Sequence, residues 1–158
     1  MRIKLTLLTM LTFVANIFCI TTIVSPWIYA FGPPHGYPPH ADLVSAPNLF
    51  GVLSDQSYSI LYGIPISLIL GLVSFLLSLT FEADGLKGKI LLSTFLVGAF
   101  LLVSIPNFVF GNLYEQRQSF IVNGEPVAYS IALGPGSRIA SIASLLYFVS
   151  FVVCILRE

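Results

Sequence analysis

The chain has 158 residues, of which 56% are hydrophobic and 9% are charged, and its formal net charge is zero. A soluble domain carries about 25% charged residues, so the composition excludes an ordinary soluble domain. The balanced charge offers no basic surface and excludes a nucleic-acid-binding protein. Long segments without Asp, Glu, Lys or Arg occupy residues 5–41, 56–81, 90–114 and 139–156. Each can hold the roughly 20 apolar residues that a membrane-spanning helix needs.

The sequence predicts an all-α membrane protein, a single domain over residues 1–158 that crosses the bilayer four times. The short charged turn at residues 82–89 predicts that spans two and three form an antiparallel hairpin, and hence a four-helix bundle of two antiparallel hairpins. In chain order, the spans are predicted at about residues 5–29, 58–81, 90–111 and 137–156, with two long loops at about 32–57 and 112–136.

The positive charges predict the orientation of the chain. Lysine and arginine favour the cytoplasmic side of short loops. With the termini inside, the inner residues are Arg2, Lys4, Lys87, Lys89 and Arg157, and the outer residues are Arg117 and Arg138. We therefore expect cytoplasmic termini, extracellular loops and a location in the cell membrane.

The outer loops carry signals for β-structure. Asn123-Gly124 separates two β-prone runs, and this dipeptide favours the two-residue turn of a hairpin. Residues 43–45 and 49–53 of the first loop are further strand candidates. Because an isolated hairpin is marginally stable, the two loops are expected to meet in a small extracellular β-layer. In that layer Phe120 is expected to find cover near Leu49 and Phe50, or on a neighbouring protein.

The two halves of the chain share a pattern that predicts where the spans end. Pro26 near the end of span one corresponds to Pro106 near the end of span three, and Tyr58-Ser59-Ile60 corresponds to Tyr129-Ser130-Ile131. A duplication of one hairpin explains the pattern. Coincidence in so biased a composition, or the general preference for Pro and Tyr at membrane surfaces, explains it too. Trp27, next to Pro26, is expected at the level of the lipid headgroups, with its ring partly exposed to water.

Apart from Arg138 at the outer end of span four, the predicted spans contain no Asp, Glu, Lys, Arg or His. Proton relays and ion pathways need ionisable groups at depth, so an enzyme or pump built on this chain is not expected. Span one carries a polar stripe of Thr9, Thr12, Asn16 and Cys19 at helical spacing. We interpret this stripe, together with the small-residue pairs Ser74/Ser78, Ser137/Ser141 and Ala140/Ser144, as internal helix packing; a solute path or a partner-binding face is the alternative.

The two histidines, His35 and His40, lie in a proline-rich stretch of the first loop with Asp42 close behind. Imidazole and carboxylate groups bind copper or zinc. The two residues are therefore candidate metal ligands at the outer surface, and an exposed loop stiffened by proline is the alternative. No cofactor is indicated.

The layout resembles the claudin and peripheral myelin protein superfamily. Pro26-Trp27 matches the tryptophan that follows the first span in that family, and Asn48-Leu49-Phe50-Gly51 lies near the position of its Gly-Leu-Trp element. Phe50 replaces the second tryptophan, and the two cysteines of the family's first outer loop are absent. The resemblance implies four spans, a small outer sheet, and lateral assembly or adhesion instead of catalysis.

These observations predict a non-enzymatic membrane protein that acts by association, as an accessory subunit of a membrane complex or a claudin-like laterally assembling surface protein. Its partners would be the lipid bilayer and other membrane proteins or copies of itself. The candidate interaction residues are Trp27, Leu49, Phe50, Phe120, Asn123 and Gly124. A metal-handling or structural subunit of a membrane oxidoreductase is the alternative, followed by a channel or transporter.

Overall fold

The computed structural model describes residues 6–31, 43–45, 48–53, 56–80, 86–115, 120–122, 125–127 and 130–156. Its helices are α1 (Leu7–Val24), α2 (Leu49–Leu53), α3 (Gly63–Thr80), α4 (Leu86–Glu115) and α5 (Pro135–Leu156), with a 3₁₀ helix at Gln56–Tyr62. Its strands are β1 (Ile28–Phe31), β2 (Leu43–Ser45), β3 (Phe120–Val122), β4 (Glu125–Val127) and β5 (Ser130–Leu133).

Within the described residues, four helical segments are long and apolar enough to cross a membrane, namely Leu7–Val24, Ser59–Leu79, Leu86–Asn112 and Pro135–Leu156. They indicate an integral membrane protein. Helix α1 packs against α3 and α5, and α4 packs against the same two helices, so the four long helices form a closed ring. Consecutive spans are neighbours in this ring.

The first span is shorter than the sequence predicts, because α1 ends at Val24 and Tyr29 lies in β1. Ser25 caps the helix in an extended conformation, with φ −74° and ψ 151°. The residue before a proline is disfavoured in the helical region, so Pro26 explains the early end. Helix α5 begins at Pro135, where the missing N–H removes a donor that no helical carbonyl would have accepted.

Pro106, which the sequence places near the end of span three, does not end the helix. Helix α4 runs through Pro106 and continues to Glu115. The ring of Pro106 removes one N–H, the usual partner of the Leu102 carbonyl, while the rest of the helix keeps its backbone bonds. An apolar surrounding favours continuation, because a broken helix exposes further unsatisfied groups. Pro26 and Pro106 therefore stand in different local structures, as do residues 56–62 and 130–133.

A small antiparallel sheet joins strands from both long connecting segments. Strand β1, which follows α1, lies between β2 and β5. Ile28 pairs with Leu133 and Phe31 with Ser130, so β1 and β5 run side by side over their full lengths. Since β5 leads into α5, the sheet ties the end of the first span to the start of the last one.

Strands β3 and β4 form a separate two-stranded antiparallel sheet, in which Phe120 pairs with Val127 and Val122 pairs with Glu125. Pro126 stands opposite Ile121, and both strands of this pair are edges, where a missing N–H is tolerated. The predicted turn residues Asn123 and Gly124 lie outside the described residues.

The expectation of a strand at residues 49–53 is wrong, because this segment forms the one-turn helix α2. The side chain of Asn48 accepts a hydrogen bond from the Gly51 N–H at 3.1 Å, which satisfies a donor at the start of the helix. The apolar residues Leu49, Val52 and Leu53 recur at steps of three and four and are all buried. This spacing is helical and not alternating.

The interpretation of the polar stripe of α1 as internal packing is confirmed. Thr9, Thr12, Asn16 and Cys19 are all buried. Asn16 accepts a hydrogen bond from the Tyr147 hydroxyl of α5 at 2.8 Å, and the Cys19 thiol lies 3.5 Å from the Ser67 hydroxyl of α3. The stripe thus holds α1 against its two neighbours in the ring.

Candidate interaction site

The seam between α4 and α5 contains a second set of polar side chains, which unlike the α1 stripe reaches the outside of the bundle. Ser104 and Asn107 lie three positions apart on α4, and Ser137, Ser141 and Ser144 follow steps of four and three on α5. These steps place each set on one face of its helix, and the two faces meet. The small serines allow the two backbones to approach closely.

Hydrogen bonds connect the two helices along this seam. The Ser137 hydroxyl donates to Asn107 Oδ1 at 2.7 Å, and Asn107 Nδ2 donates to the Ser141 hydroxyl at 3.0 Å. One turn away, the hydroxyls of Ser104 and Ser144 are hydrogen-bonded to each other. Asn107 therefore bridges two turns of α5 with a single amide.

The surface beside this seam forms a groove of about 330 Å³, which we call the polar groove. It is lined by Ser104, Asn107, Phe108, Ser141 and Ser144. Ser144 is buried, Asn107 and Ser104 are half-buried, and Ser141 is exposed. The ring of Phe108 is 73% exposed and stands at the rim of the groove. The groove thus presents hydroxyl and amide groups on the outer surface of the bundle.

The groove lies within the part of the chain that crosses the membrane. Ser141 and Ser144 follow the first residue of α5 by six and nine positions, which at 1.5 Å per residue places them about 9 and 14 Å along a helix of about 33 Å. Asn107 lies near the end of the apolar part of α4, Leu86–Asn112. The groove is therefore in the half of the membrane nearest the β-sheet.

The hydrogen-bonding capacity of Asn107 is only partly used. A side-chain amide offers two N–H donors and two lone pairs on its oxygen. The bonds to Ser137 and Ser141 use one of each. One donor and one acceptor remain on a half-buried residue beside an open groove. In a hydrocarbon environment unused polar capacity costs free energy, so this site favours a polar partner.

Two of the sequence-predicted interaction residues, Trp27 and Leu49, are fully buried. The prediction that the Trp27 ring is partly exposed to water is wrong. Its indole Nε1–H donates to the Thr22 carbonyl at 2.8 Å, and its ring meets Phe110 edge-on at 5.4 Å. Gly136 allows this burial, because a Cβ there would lie 2.7 Å from the indole ring. Trp27 thus packs together the ends of α1, α4 and α5.

Phe50 is 60% exposed, because α2 turns Leu49 inward and leaves Phe50 on its outer side. Phe120 lies in β3, where the structure describes its backbone pairing. Asn123, Gly124, His35 and His40 lie outside the described residues. Among the residues that the structure does describe, no three His, Cys, Asp or Glu side chains group together at a distance suited to a metal ion.

Asn107 is not among the candidate residues that the sequence indicated. Ser137 and Ser141 were paired along one helix, but an interhelical groove needs the facing residues of the other helix as well. The signal was present, because Asn107 is an amide inside a predicted span and has Ser104 one turn before it.

No protein-family model matches the chain, and a comparison with curated proteins finds no match.

Proposed function

We propose that the chain is a non-enzymatic integral membrane protein that acts by associating with other membrane proteins. It would serve as an accessory subunit of a membrane complex or as a claudin-like, laterally assembling surface protein. The observation that supports this function is the polar groove between α4 and α5, which lies on the outer surface of two helices that are apolar enough to span a membrane. Polar side chains on transmembrane helices stabilise association when a neighbouring helix supplies the matching groups.

The proposed location is the cell membrane, with both termini in the cytoplasm. Lys87 and Lys89 at the start of α4 would lie inside, and Arg138 at the start of α5 would lie outside. The positive-inside preference supports this assignment. The β-sheet and the polar groove would then belong to the extracellular half of the molecule.

A second contact surface is proposed on the extracellular side. Phe50 exposes a large aromatic ring on α2, and aromatic residues are enriched in protein interfaces. The antiparallel pair of β3 and β4 would present the predicted Asn123-Gly124 turn, and Phe120 would find its apolar cover on a neighbour. This outer surface would complement the contact made within the membrane, as the resemblance to the claudin superfamily implies.

Site-specific photocrosslinking in membranes of the source cell tests the proposal. A photoreactive amino acid replaces Phe108 at the rim of the groove, and a matched variant carries it at Phe13, which is 50% exposed on α1. If the protein associates through the groove, the yield of protein adducts is higher at position 108 than at position 13. The adducts at position 108 should weaken when Asn107 is replaced by leucine. Lipid adducts alone at both positions would contradict association.

A further inference from the structure

We propose that the partner bound by the polar groove is a second copy of this chain, docked around a twofold axis. This inference rests on the proposed function, association within the membrane, and names the partner. A twofold interface uses the same surface on both subunits, so that surface must fit itself. The polar groove meets this requirement in shape and in hydrogen bonding.

The groove carries a protruding group and a cavity side by side. Phe108 is 73% exposed and forms the rim, and the adjoining groove has a volume of about 330 Å³. When two copies meet face to face, the Phe108 ring of each can enter the groove of the other. Three of the lining residues are small, namely Ser104, Ser141 and Ser144, and they leave room for an incoming ring. Close packing of this kind drives helix association in lipid, where apolar burial alone does not.

The hydrogen-bonding groups are also complementary to themselves. Asn107 keeps one N–H donor and one oxygen lone pair beyond its bonds to Ser137 and Ser141. Two Asn107 amides facing each other across a twofold axis can each donate to the other. Lipid acyl chains offer no donor and no acceptor, and lipid ester groups offer acceptors only. A second copy can therefore satisfy both free groups of Asn107, whereas the acyl chains and ester groups of lipids cannot.

Energy transfer between donor-labelled and acceptor-labelled full-length chains in phosphatidylcholine vesicles tests the proposal. Transfer is measured while the protein is diluted into lipid, which gives a dissociation constant as a mole fraction. We expect a dimer, and we expect Asn107→Leu to weaken it by about tenfold, since two symmetric amide contacts of typical strength are lost. Phe108→Ala should weaken it similarly, and its exposed position spares the monomer fold. The matched change Phe13→Ala should leave dimerisation unchanged.

Disulfide formation in the same vesicles locates the interface. Ser141→Cys should cross-link to its copy under mild oxidation, whereas Phe13→Cys should not. The two native cysteines, Cys19 and Cys154, are buried and provide the background. A monomer at all dilutions, or a dimer that cross-links through position 13, would overturn the proposal. Protein adducts at Phe108 in source membranes that contain a different polypeptide would also overturn it, yet would leave the proposed function standing.

Discussion

At the scale of single residues, the Asn16–Tyr147 pair links the helices at the centre of the bundle. The Tyr147 hydroxyl donates to Asn16 Oδ1 at 2.8 Å, and Gly71 of α3 lies so close that a Cβ would be 2.2 Å from that oxygen. Among the described residues, Asn16 Nδ2 is buried and has no hydrogen-bond partner. The Asn16 amide thus links α1 to α5 beside the close approach of α3, and part of its hydrogen-bonding capacity stays unused.

We expect Tyr147→Phe to lower the free energy of unfolding by about 1–3 kcal/mol, because it leaves the buried Asn16 oxygen without a donor. The double variant Asn16→Leu/Tyr147→Phe should be more stable than Tyr147→Phe alone, because it removes both polar partners. Unfolding in mixed micelles can be followed by the fluorescence of Trp27, the single tryptophan of the chain. Tyr62→Phe, at a side chain that is 53% exposed, is the matched control. Equal stability of all four proteins would contradict the role of the pair.

The sequence identifies Trp27 as a residue of interest but does not reveal what surrounds its side chain. Its place near the outer end of the first predicted span is evident from the sequence. Its burial depends on Phe110 and Gly136, which are remote in the chain. We expect Gly136→Ala to destabilise the fold by about 1–3 kcal/mol, since the new methyl group meets the indole ring. A red-shifted Trp27 emission would report the displaced ring, and an unchanged spectrum and stability would contradict this packing.

At the scale of elements, the close contact of α3 with α4 depends on Gly63. A Cβ at position 63 would lie 2.7 Å from the Leu102 carbonyl oxygen and 3.0 Å from the ring of Pro106. The backbone atom cannot move aside without shifting α4. Pro106, which supplies no N–H to Leu102, therefore lies where the start of α3 packs most tightly on its neighbour.

We expect Gly63→Ala to destabilise the bundle by about 1–3 kcal/mol through this steric conflict. Gly111→Ala is the matched control, because a Cβ at position 111 would meet no atom within 4 Å. In that open position alanine should leave stability unchanged or raise it by up to about 1 kcal/mol, as expected for a helical glycine. Unfolding in mixed micelles compares the two variants. Equal changes in stability for the two variants would show that the helix propensity of alanine, and not the contact between α3 and α4, determines the stability.

The elements differ in how far the sequence predicts them. The four long helices follow from runs without charge, because the cost of placing charge in lipid is a property of composition alone. The ends of α1 and α4 do not follow, since Pro26 ends one helix and Pro106 is accommodated in the other. Pro106 packs against Gly63 of the neighbouring helix α3, a contact that local sequence does not reveal. The polar groove could not be predicted for the same reason, because it depends on the contacts of Asn107 with Ser137 and Ser141 on the facing helix.

At the scale of the whole molecule, orientation in the membrane decides which surfaces partners can reach. The sheet and the polar groove lie at the same end of the ring, because β1 follows α1 and β5 precedes α5. If this end faces outward, the polar groove and the exposed Phe50 on α2 both belong to the extracellular half of the molecule. An inverted chain would instead present the sheet to cytoplasmic partners.

Thiol labelling of intact cells tests the orientation. Arg138 and Lys87 are both exposed and begin α5 and α4 at opposite ends of the ring. We expect a membrane-impermeant maleimide to label Arg138→Cys before lysis and Lys87→Cys only after lysis, because lysine and arginine favour the cytoplasmic side. The buried Cys19 and Cys154 should react little, and the unmodified chain measures that background. Labelling of Lys87→Cys alone on intact cells would reverse the orientation, move Phe50 to the cytoplasmic side, and remove the extracellular half of the association model.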